Sequence, residues 1–346
     1  MKIISNETLI SEIIIEEGLI KKTDFNNSFL ITNTTLKKLY PDIIKKFNKD
    51  RVIVIEDGEK YKNSKTLEYI LTELLKRKIE RKDTIMALGG GVVGDIAGYA
   101  ASSVLRGVNL IQIPTTLLAM CDSSIGGKTG INSKYGKNLI GSFYLAKKVL
   151  IDPEFLKTLN EYEFKCGLGE IVKYAFIEKS CKNEEFFNLL EFLNCNNLEQ
   201  LKENITYVIE CCAKLKANVV QIDRLEGGLR KVLNLGHTYA HPIETLSNYK
   251  NISHGEAVAF GIKYASNLAL NIGKIDKNYH ELICNTLNKY ELINKKLNFK
   301  KSDMVDLMYR DKKVEDSKIN LIIPNSPASV ELACNIQPSE LEASLL

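Results

Sequence analysis

Tryptophan is absent from the 346 residues, proline occurs seven times and histidine four times. Long apolar runs are also lacking: the longest apolar region, residues 84–120, is interrupted by Asp95, Arg106 and several glycines, which argues against a membrane span. Neither charge sign dominates, since 47 basic and 43 acidic side chains give a net charge of +4. Nucleic-acid-binding proteins usually carry a dense basic face. We therefore expect no membrane and no nucleic-acid partner, whereas a small anionic ligand stays open.

Cysteine is more frequent, but none of the eight residues forms a C-x-x-C pair, and they are scattered through apolar stretches. This is how reduced, buried thiols are distributed in proteins of a reducing compartment. The first 18 residues contain acidic and polar side chains where a secretory signal peptide has an unbroken apolar core. We therefore expect a cytoplasmic protein with reduced cysteines.

Short β-rich runs alternate with helical patterns in the first half of the chain. The runs are rich in β-branched side chains and bounded by polar residues or glycine, as strands are. The predicted strands are 28–33, 51–57, 83–91 and 108–114, and the predicted helices between them are 35–47 and 64–78. Such alternation is typical of a parallel sheet covered by helices.

The pattern changes near residue 153. Long segments with helical periodicity follow, and strand-like runs are nearly absent until 318–324. The main predicted helical segments are 184–193, 201–220 and 256–273. We predict the α/β fold class, with an α/β domain over residues 1–155 and a mostly α-helical domain over residues 156–346.

A glycine-rich turn follows the third predicted strand. Gly89, Gly91 and Gly94 satisfy the G-x-G-x-x-G pattern, in which the backbone approaches a pyrophosphate and the next helix N-terminus favours an anion. The acid that the dinucleotide fingerprint places about 20 residues later is missing, since the sequence there is VNLIQIPTT. On this motif alone, nucleotide binding and a tight strand–helix turn are equally good interpretations.

Residues 114–144 form the densest polar stretch in an apolar setting. They include Asp122, Lys128, Lys137 and Asn138 among several glycines. Long loops are uncommon in compact domains and are often functional. Lysine, serine and backbone amides in such a loop are the usual means of holding phosphate. A functional loop is the favoured interpretation, and a solvated surface loop is the alternative.

Three of the four histidines lie within 18 residues. His237 and His241 would share one face of a helix, and His254 follows. The pair resembles metal-binding helices but lacks the glutamate of H-E-x-x-H. A buried histidine without a ligand is the usual alternative for any one of them, and the residues alone do not say which of the three bind. Glu170 and Lys173, one helical turn apart, are by themselves an ordinary ion pair.

Taken together, these segments resemble the 3-dehydroquinate synthase family of the shikimate pathway. The resemblance covers nearly the whole chain, and nine ordered blocks are far more specific than any single one. The blocks are DGEKYKNSKT, GGGVVGDIAGYAAS, RGV, IPTTLLAMCDSSIGGKTGIN, GKNLIGSFY, GLGEIVKYAFI, EGGLRKVLNLGHTYAHPIE, HGEAVAFGI and DKK. The family is similar in fold to iron-dependent alcohol dehydrogenases and glycerol phosphate dehydrogenases. It has a Rossmann-like parallel-sheet NAD-binding domain followed by a helical metal- and substrate-binding domain.

The resemblance implies a divalent metal, zinc or alternatively cobalt, held by Glu170, His237 and His254, with His241 in the site but not a ligand. Three protein ligands leave coordination positions for substrate hydroxyls. The resemblance also implies an active site between the domains and a homodimer. Whether Arg106 acts in its own subunit or across the dimer is left open.

NAD and substrate contacts are carried over from the matching motifs. The implied NAD-binding residues are Glu59, Lys62, Gly90, Gly91, Val92, Asp95, Thr115, Thr116, Asp122, Lys137, Phe155, Thr158 and Leu159. The implied substrate-binding residues are Arg106, Asp122, Lys128, Asn138, Lys173, Lys216, Arg230, Asn234, His241, Lys312 and Lys313. The expected catalytic residues among them are Lys128, Lys173, Lys216, Asn234 and His241. Arg106, Lys128 and Asn138 suit a phosphate, and Arg230 suits a carboxylate as a bidentate fork.

The implied enzyme is a phosphorus–oxygen lyase that converts 3-deoxy-D-arabino-heptulosonate 7-phosphate, a phosphorylated sugar acid, into 3-dehydroquinate and phosphate. The implied steps are transient oxidation by NAD, β-elimination of phosphate, reduction, ring opening and intramolecular aldol closure, so NAD is not consumed. The alternatives are a 2-deoxy-scyllo-inosose synthase-type cyclase, an NAD-dependent polyol dehydrogenase and a non-catalytic scaffold. Arg230 and Asn234 favour dehydroquinate synthesis over the first, because the substrate of that cyclase has no carboxylate.

Overall fold

The computed structural model describes residues 1–5, 8–247, 251–310, 314–315 and 318–345. The chain divides into two compact units, Met1–Asn160 and Glu161–Leu346. No helix within the described ranges is both long and apolar enough to cross a membrane. The assignment of NAD binding to residues 1–155, and of metal and substrate binding to residues 156–346, stays a prediction.

The first unit is built on a mostly parallel sheet. Its strands are β1 (Lys2–Ser5), β2 (Thr8–Ile15), β3 (Ser28–Asn33), β4 (Val52–Ile55), β5 (Thr84–Gly89), β6 (Asn109–Pro114), β7 (Lys128–Ser133), β8 (Gly136–Phe143) and β9 (Lys148–Ile151). Its α-helices are α1 (Leu19–Lys22), α2 (Thr34–Leu39), α3 (Pro41–Ile44), α4 (Ser64–Lys76) and α5 (Gly91–Ser103). Seven strands form one sheet in the order β1-β2-β9-β6-β5-β3-β4. Only the β1–β2 pair in this sheet is antiparallel among the described residues.

The predicted α/β class is confirmed, and the four predicted strands correspond to β3, β4, β5 and β6. Strands β1, β2 and β9 were not predicted. Residues 35–47 do not form one helix, because Pro41 has no N–H to continue it and α2 ends before Tyr40.

The interpretation of residues 114–144 as a long loop was wrong. Much of this stretch folds into an antiparallel hairpin of β7 and β8. Its glycines interrupt the run of apolar residues by which a strand is recognised in a sequence, but they permit the two strands to pair. A Cβ on Gly130 would lie 2.5 Å from Ile140 O, and a Cβ on Gly141 would lie 2.0 Å from Thr129 O. Any side chain there would collide with the opposite strand.

The second unit is mostly helical, as predicted. Its α-helices are α6 (Glu161–Ile177), α7 (Leu189–Cys195), α8 (Leu198–Glu203), α9 (Ile205–Ile222), α10 (His237–Leu246), α11 (His254–Asn271), α12 (Lys277–Lys289), α13 (Lys301–Arg310) and α14 (Pro338–Ser344). The strands β10 (Val314–Glu315), β11 (Lys318–Ser326) and β12 (Ser329–Ile336) form an antiparallel sheet.

Two predicted helical segments are shorter or interrupted in the structure. Residues 184–193 become helical only at Leu189, because the buried carboxylate of Glu178 accepts hydrogen bonds from the amides of Phe187, Asn188 and Leu189. These bonds hold the preceding residues outside the helix. Residues 201–220 are split at Asn204 into α8 and α9.

Helix α11 approaches α6 with backbone against backbone. A Cβ on Gly169 of α6 would lie 2.3 Å from the Cα and O atoms of Gly255 in α11. A Cβ on Gly255 would in turn lie 2.1 Å from Lys165 O. No side chain fits at these distances. Glycine at both positions therefore sets the separation of the two helices, directly beside Glu170 and His254.

A second glycine contact joins α11 to the start of α10. A Cβ on Gly261 of α11 would lie 2.0 Å from Gly236 O. Gly236 itself has a φ of +79°, a left-handed conformation that favours glycine. Because His237 follows Gly236 and begins α10, this contact places His237 against α11.

The glycine contact between α6 and α11 is tested by Gly169→Ala. Alanine is favoured over glycine in a helix interior by about 1 kcal/mol, but overpacking a rigid interior costs about 1–3 kcal/mol or more. Since the clashing atoms are backbone atoms, we expect the clash to win and the free energy of unfolding to fall by about 2 kcal/mol. Chemical denaturation with a chelator present measures the change.

Gly227→Ala is the matched control. A Cβ at Gly227 meets nothing within 4 Å, so its effect should stay within about 0.5 kcal/mol. A Gly169→Ala protein as stable as this control would contradict the close approach of the helices.

Candidate functional site

The second unit brings three metal-ligating side chains together. Glu170 lies in α6, His237 begins α10 and His254 begins α11. One ligand atom from each lies within 4.8 Å of the others. Glu170 Oε1 is 3.4 Å from His237 Nε2 and 3.2 Å from His254 Nε2. One carboxylate and two imidazoles are a donor set that suits zinc or cobalt. These are the ligands that the resemblance implies, and metal binding by them stays a prediction.

His237 is held in a form that can bind a metal. Its Nδ1 lies 3.2 Å from Leu235 O, so the Nδ1–H donates to this carbonyl and the lone pair is left on Nε2. Burial lowers the pKa of His237 well below its usual value, with Glu170 opposing this shift and Lys173 adding to it. A neutral imidazole is the state that ligates metals.

His254 lies between two carboxylates. Its Nε2 faces Glu170, and its Nδ1 is 3.4 Å from Glu244 Oε1. Burial alone would lower the pKa of His254, but its contacts with Glu170 and Glu244 raise it to about 10. Without a metal, a positive charge on His254 therefore offsets the two nearby negative charges.

Glu170 is also engaged on its far side. Lys173 Nζ donates to Glu170 Oε2, and both side chains are only 1% exposed. The ion pair expected from their spacing is therefore present, at the Oε2 atom of the carboxylate. The other oxygen faces the histidines. Lys173 is a buried counter-ion of this carboxylate and fixes its orientation.

His241 lies beside this cluster without joining it. The ring centroids of His237 and His241 are 5.9 Å apart, and His241 is exposed. The candidate ligand group contains Glu170, His237 and His254 instead. The H-x-x-x-H spacing therefore marks the helix that carries one candidate ligand, whereas the candidate group pairs His237 with His254.

The remaining predicted residues of the second unit have varied environments. Lys216 in α9 and Arg230 are buried, whereas Asn234 is partly exposed. Arg230 Nη1 donates to Arg224 O at 2.7 Å, and Asn234 Nδ2 donates to Glu226 Oε1 at 3.0 Å. Lys312 and Lys313 lie outside the described residues.

Asp223 organises the turn that leads to Arg230. Its carboxylate accepts backbone hydrogen bonds from Gly227, Gly228 and Arg230 at 3.0, 2.7 and 2.9 Å. Burial would raise the pKa of Asp223, but these amide bonds lower it below its usual value. The turn is thus held by a charged carboxylate, and Arg230 is fixed at its end.

The glycine turn of the first unit lies where nucleotides bind in folds of this kind. Strand order reverses between β3 and β5, since the chain adds β4 on one side of β3 and then β5 and β6 on the other. Ligands of open α/β sheets bind beyond the carboxyl ends of the strands at such a switch point. Gly89 ends β5 there, and Gly91 begins α5.

Packing explains part of the glycine pattern. A Cβ on Gly90 would lie 2.8 Å from Thr116 Cγ2, so the turn is close to another predicted NAD-binding residue. A Cβ on Gly94 would lie 2.8 Å from Gln112 Oε1, which shows that the third glycine lets α5 pack on β6. The tight turn is confirmed, and nucleotide binding stays a prediction.

A polar network joins several predicted residues of the first unit. Lys62 is buried, and its Nζ is 2.5 Å from both Asp95 Oδ2 and Asn138 Oδ1. Asn132 donates to Glu59 Oε1 at 2.7 Å and accepts from the amide of Asn138 at 2.9 Å. Predicted cofactor and substrate residues thus share one network. Asn132 was not predicted, because an asparagine in a polar stretch has no distinguishing sequence signal.

The other predicted residues of this unit differ in exposure. Thr115 and Phe155 are buried, and Phe155 packs edge-on against Tyr40, whose hydroxyl bonds Thr158. Arg106 is exposed and has a φ of +66° next to Leu105 at +50°, two left-handed residues in succession. The remaining predicted residues are exposed or partly exposed: Val92, Asp122, Lys128, Lys137 and Leu159.

Several solved enzymes have the same two-domain α/β fold as this chain. A 2-epi-5-epi-valiolone synthase from Streptomyces hygroscopicus subsp. jinggangensis, solved with NAD+ and Zn2+, matches with a TM-score of 0.85 and 23% identity over 100% of this chain and 98% of its own. A 2-deoxy-scyllo-inosose synthase complexed with carbaglucose-6-phosphate, NAD+ and Co2+ matches with a TM-score of 0.84 and 23% identity, covering 96% and 95%. An iron-containing alcohol dehydrogenase has a TM-score of 0.66 at 14% identity, covering 97% of both chains.

Sequence comparison identifies the family. The 3-dehydroquinate synthase N-terminal family matches residues 52–166, and its C-terminal counterpart matches residues 167–314. The 3-dehydroquinate synthase of Campylobacter hominis is 41% identical over 322 residues, covering 92% of this chain and 91% of that protein. That of Campylobacter fetus subsp. fetus is 42% identical over 318 residues, covering 90% and 89%. The chain belongs to the 3-dehydroquinate synthase family.

The buried ion pair is tested by Lys173→Met. Removing one partner of a buried pair typically costs about 3–5 kcal/mol, because the charge that stays buried loses its nearest counter-ion. We expect a loss of this size in the free energy of unfolding, measured by chemical denaturation with a chelator present. Lys165→Met is the control, since Lys165 pairs with the exposed Glu291 and such pairs contribute about 0–1 kcal/mol. Equal losses in the two variants would be incompatible with the role given to Lys173.

Proposed function

We propose that the chain converts 3-deoxy-D-arabino-heptulosonate 7-phosphate into 3-dehydroquinate and phosphate, the second step of the shikimate pathway. The observation that carries the proposal is the cluster of the buried Glu170 with the partly exposed His237 and His254 in a member of this family. Identity of about two-fifths over nine-tenths of both chains supports the same reaction.

The two units would each hold one cofactor. Glu170, His237 and His254 would hold a divalent ion, zinc or cobalt, and this ion supplies Lewis-acid polarisation of substrate hydroxyls when bound. The Gly89–Gly91 turn, with Lys62 and the other predicted contacts, would hold NAD, which supplies a reversible hydride acceptor. Structures of the same fold were solved with NAD+ and with Zn2+ or Co2+.

The buried cations of the second unit would stabilise negative charge. Lys173 holds Glu170 Oε2, which leaves Oε1 for the ion. Lys173 and the buried Lys216 would offset charge that develops on substrate oxygens, an effect that is large when water is excluded. His241 would transfer protons to and from substrate hydroxyls, and Asn234, from the same sequence block, would assist it.

Substrate recognition would use the two anionic groups of the sugar acid. Arg230 would bind the carboxylate, since its position is fixed by the Asp223 turn and by Arg224 O. Arg106, Lys128 and Asn138 would bind the phosphate. Asp122, Lys312 and Lys313 are assigned to the substrate by the resemblance alone. A cytoplasmic homodimer is part of the same proposal and rests on the same ground.

A cuvette assay tests the proposed reaction. The protein with 3-deoxy-D-arabino-heptulosonate 7-phosphate and trace NAD should release many phosphates per NAD, with no lasting NADH absorbance. A chelator should abolish release, and added zinc or cobalt should restore it. Steady NADH accumulation without phosphate release would instead indicate a polyol dehydrogenase. Turnover of glucose 6-phosphate in its place would indicate an inosose-type cyclase.

The phosphate assignment is tested by Lys128→Ala. A charge-assisted hydrogen bond contributes about 1.5–3 kcal/mol, so substrate affinity should fall about 10- to 150-fold. NAD affinity should change much less, as measured by titration calorimetry with each ligand. Lys134→Ala is the control, because Lys134 is exposed in the turn of the same hairpin. Equal loss of substrate and NAD affinity would refute the assignment.

A further inference from the structure

Glu244 is a buried acid next to the candidate metal site. It lies in α10 and is 9% exposed. Its Oε1 atom is 3.4 Å from His254 Nδ1. This distance is slightly longer than an ordinary N–H···O hydrogen bond and within the range of an ion pair. Burial of a carboxylate is unfavourable without a partner, and His254 is one such partner for Glu244.

The contact is on the opposite edge of the imidazole from the ligand cluster. His254 Nε2 faces Glu170 Oε1 at 3.2 Å, whereas Nδ1 faces Glu244. Glu244 is therefore outside the group of ligand atoms formed by Glu170, His237 and His254. A carboxylate at Nδ1 keeps the proton on that nitrogen, which leaves the Nε2 lone pair for a metal.

The two histidines have different partners for Nδ1. His237 donates to a backbone carbonyl, that of Leu235, which every residue would supply at this position. His254 has a side-chain carboxylate instead, and a carboxylate also raises the basicity of the ligating nitrogen. Only the contact of His254 depends on which amino acid supplies the partner, because it requires a carboxylate side chain at residue 244.

The arrangement also links two helices. Glu244 lies seven residues after His237, so both project from the same face of α10 two turns apart. The backbone of His254 is fixed by a capping box, in which Ser253 Oγ accepts from the amide of Glu256 and Glu256 Oε2 accepts from the amide of Ser253. That capping box does not hold the imidazole, and Glu244 does. Helix α10 thus provides one ligand and the group that orients another.

We infer that Glu244 is a positioning residue for the metal site, which orients His254 through Nδ1 and increases the affinity of the site for a divalent ion. The inference rests on the proposed metal-dependent function. Removal of such a partner typically lowers metal affinity about 10- to 100-fold.

The test measures Zn2+ affinity of the full chain by competition with a chromophoric chelator, after the metal has been removed. Glu244→Ala should lower the affinity about 10- to 100-fold. Glu244→Gln keeps an acceptor but loses the charge, and charge-assisted hydrogen bonds are about twice as strong as neutral ones, so its loss should be intermediate. Co2+ absorption spectra of the same proteins report ligand geometry and should change in the order wild type, Gln, Ala.

Glu178→Gln is the matched control. Glu178 is a buried acid of the same unit, but its carboxylate bonds backbone amides of residues 187–189. Its loss should leave Zn2+ affinity and the Co2+ spectrum unchanged. An equal loss in this variant would show that the effect of Glu244 is a general effect on stability and would overturn the inference.

Two failures can be told apart. Wild-type affinity in Glu244→Gln would overturn the inference and leave the metal site standing, and this variant decides the matter if Glu244→Ala does not fold. A wild-type protein that binds neither Zn2+ nor Co2+ at the cluster would refute the proposed metal site and the inference together.

Discussion

The contact between Gly169 and Gly255 is the constraint on which the candidate metal site depends. It brings α6 and α11 so close that a methyl group on Gly169 would lie 2.3 Å from the facing backbone. Glu170 follows Gly169 and His254 precedes Gly255, so these two side chains lie next to each other beside the glycine contact. The equivalent contact of Gly236 with Gly261 places His237 at the same point. Three candidate ligands far apart in sequence meet because glycine at these positions lets the helices pack backbone against backbone.

Charge balance explains the surroundings of these ligands. A buried carboxylate is unfavourable unless it is paired, and here Glu170 has Lys173 on one oxygen and two imidazoles on the other. Glu244 adds a second negative charge on the far edge of His254. Without a metal, the Lys173 ammonium and a cationic His254 balance the two carboxylates, and a divalent ion would replace the positive charge on His254. The same charges fix the side chains before the ion binds, so little rearrangement is required.

Sequence patterns predicted the elements whose signals are local. Strand β3 has the predicted bounds, because its β-branched run ends at polar residues on both sides. The hairpin of β7 and β8 was missed, since Gly130 and Gly141 look like loop residues until the opposite strand is known. Strand β9 is only four residues long and lies beside β2, more than 130 residues away in sequence. Pairing between strands so far apart in sequence has no local sequence signal.

The residues of the candidate site were likewise predictable only where the sequence has a local signal. The histidines and Glu170 could be picked out, and the resemblance selected His254 over His241, which their spacing alone did not do. Glu244 and Asn132 could not be found, because a glutamate seven residues along a helix and an asparagine in a polar stretch are common on surfaces. Their roles depend on groups that approach from other elements.

The most direct measurement is anomalous X-ray scattering at the zinc edge from crystals of the zinc-loaded protein. We expect one peak about 2.0–2.2 Å from a Glu170 oxygen, His237 Nε2 and His254 Nε2, with Glu244 at His254 Nδ1 and outside the coordination sphere. A peak ligated by His241 or Glu244, or no peak at the cluster, would contradict this expectation.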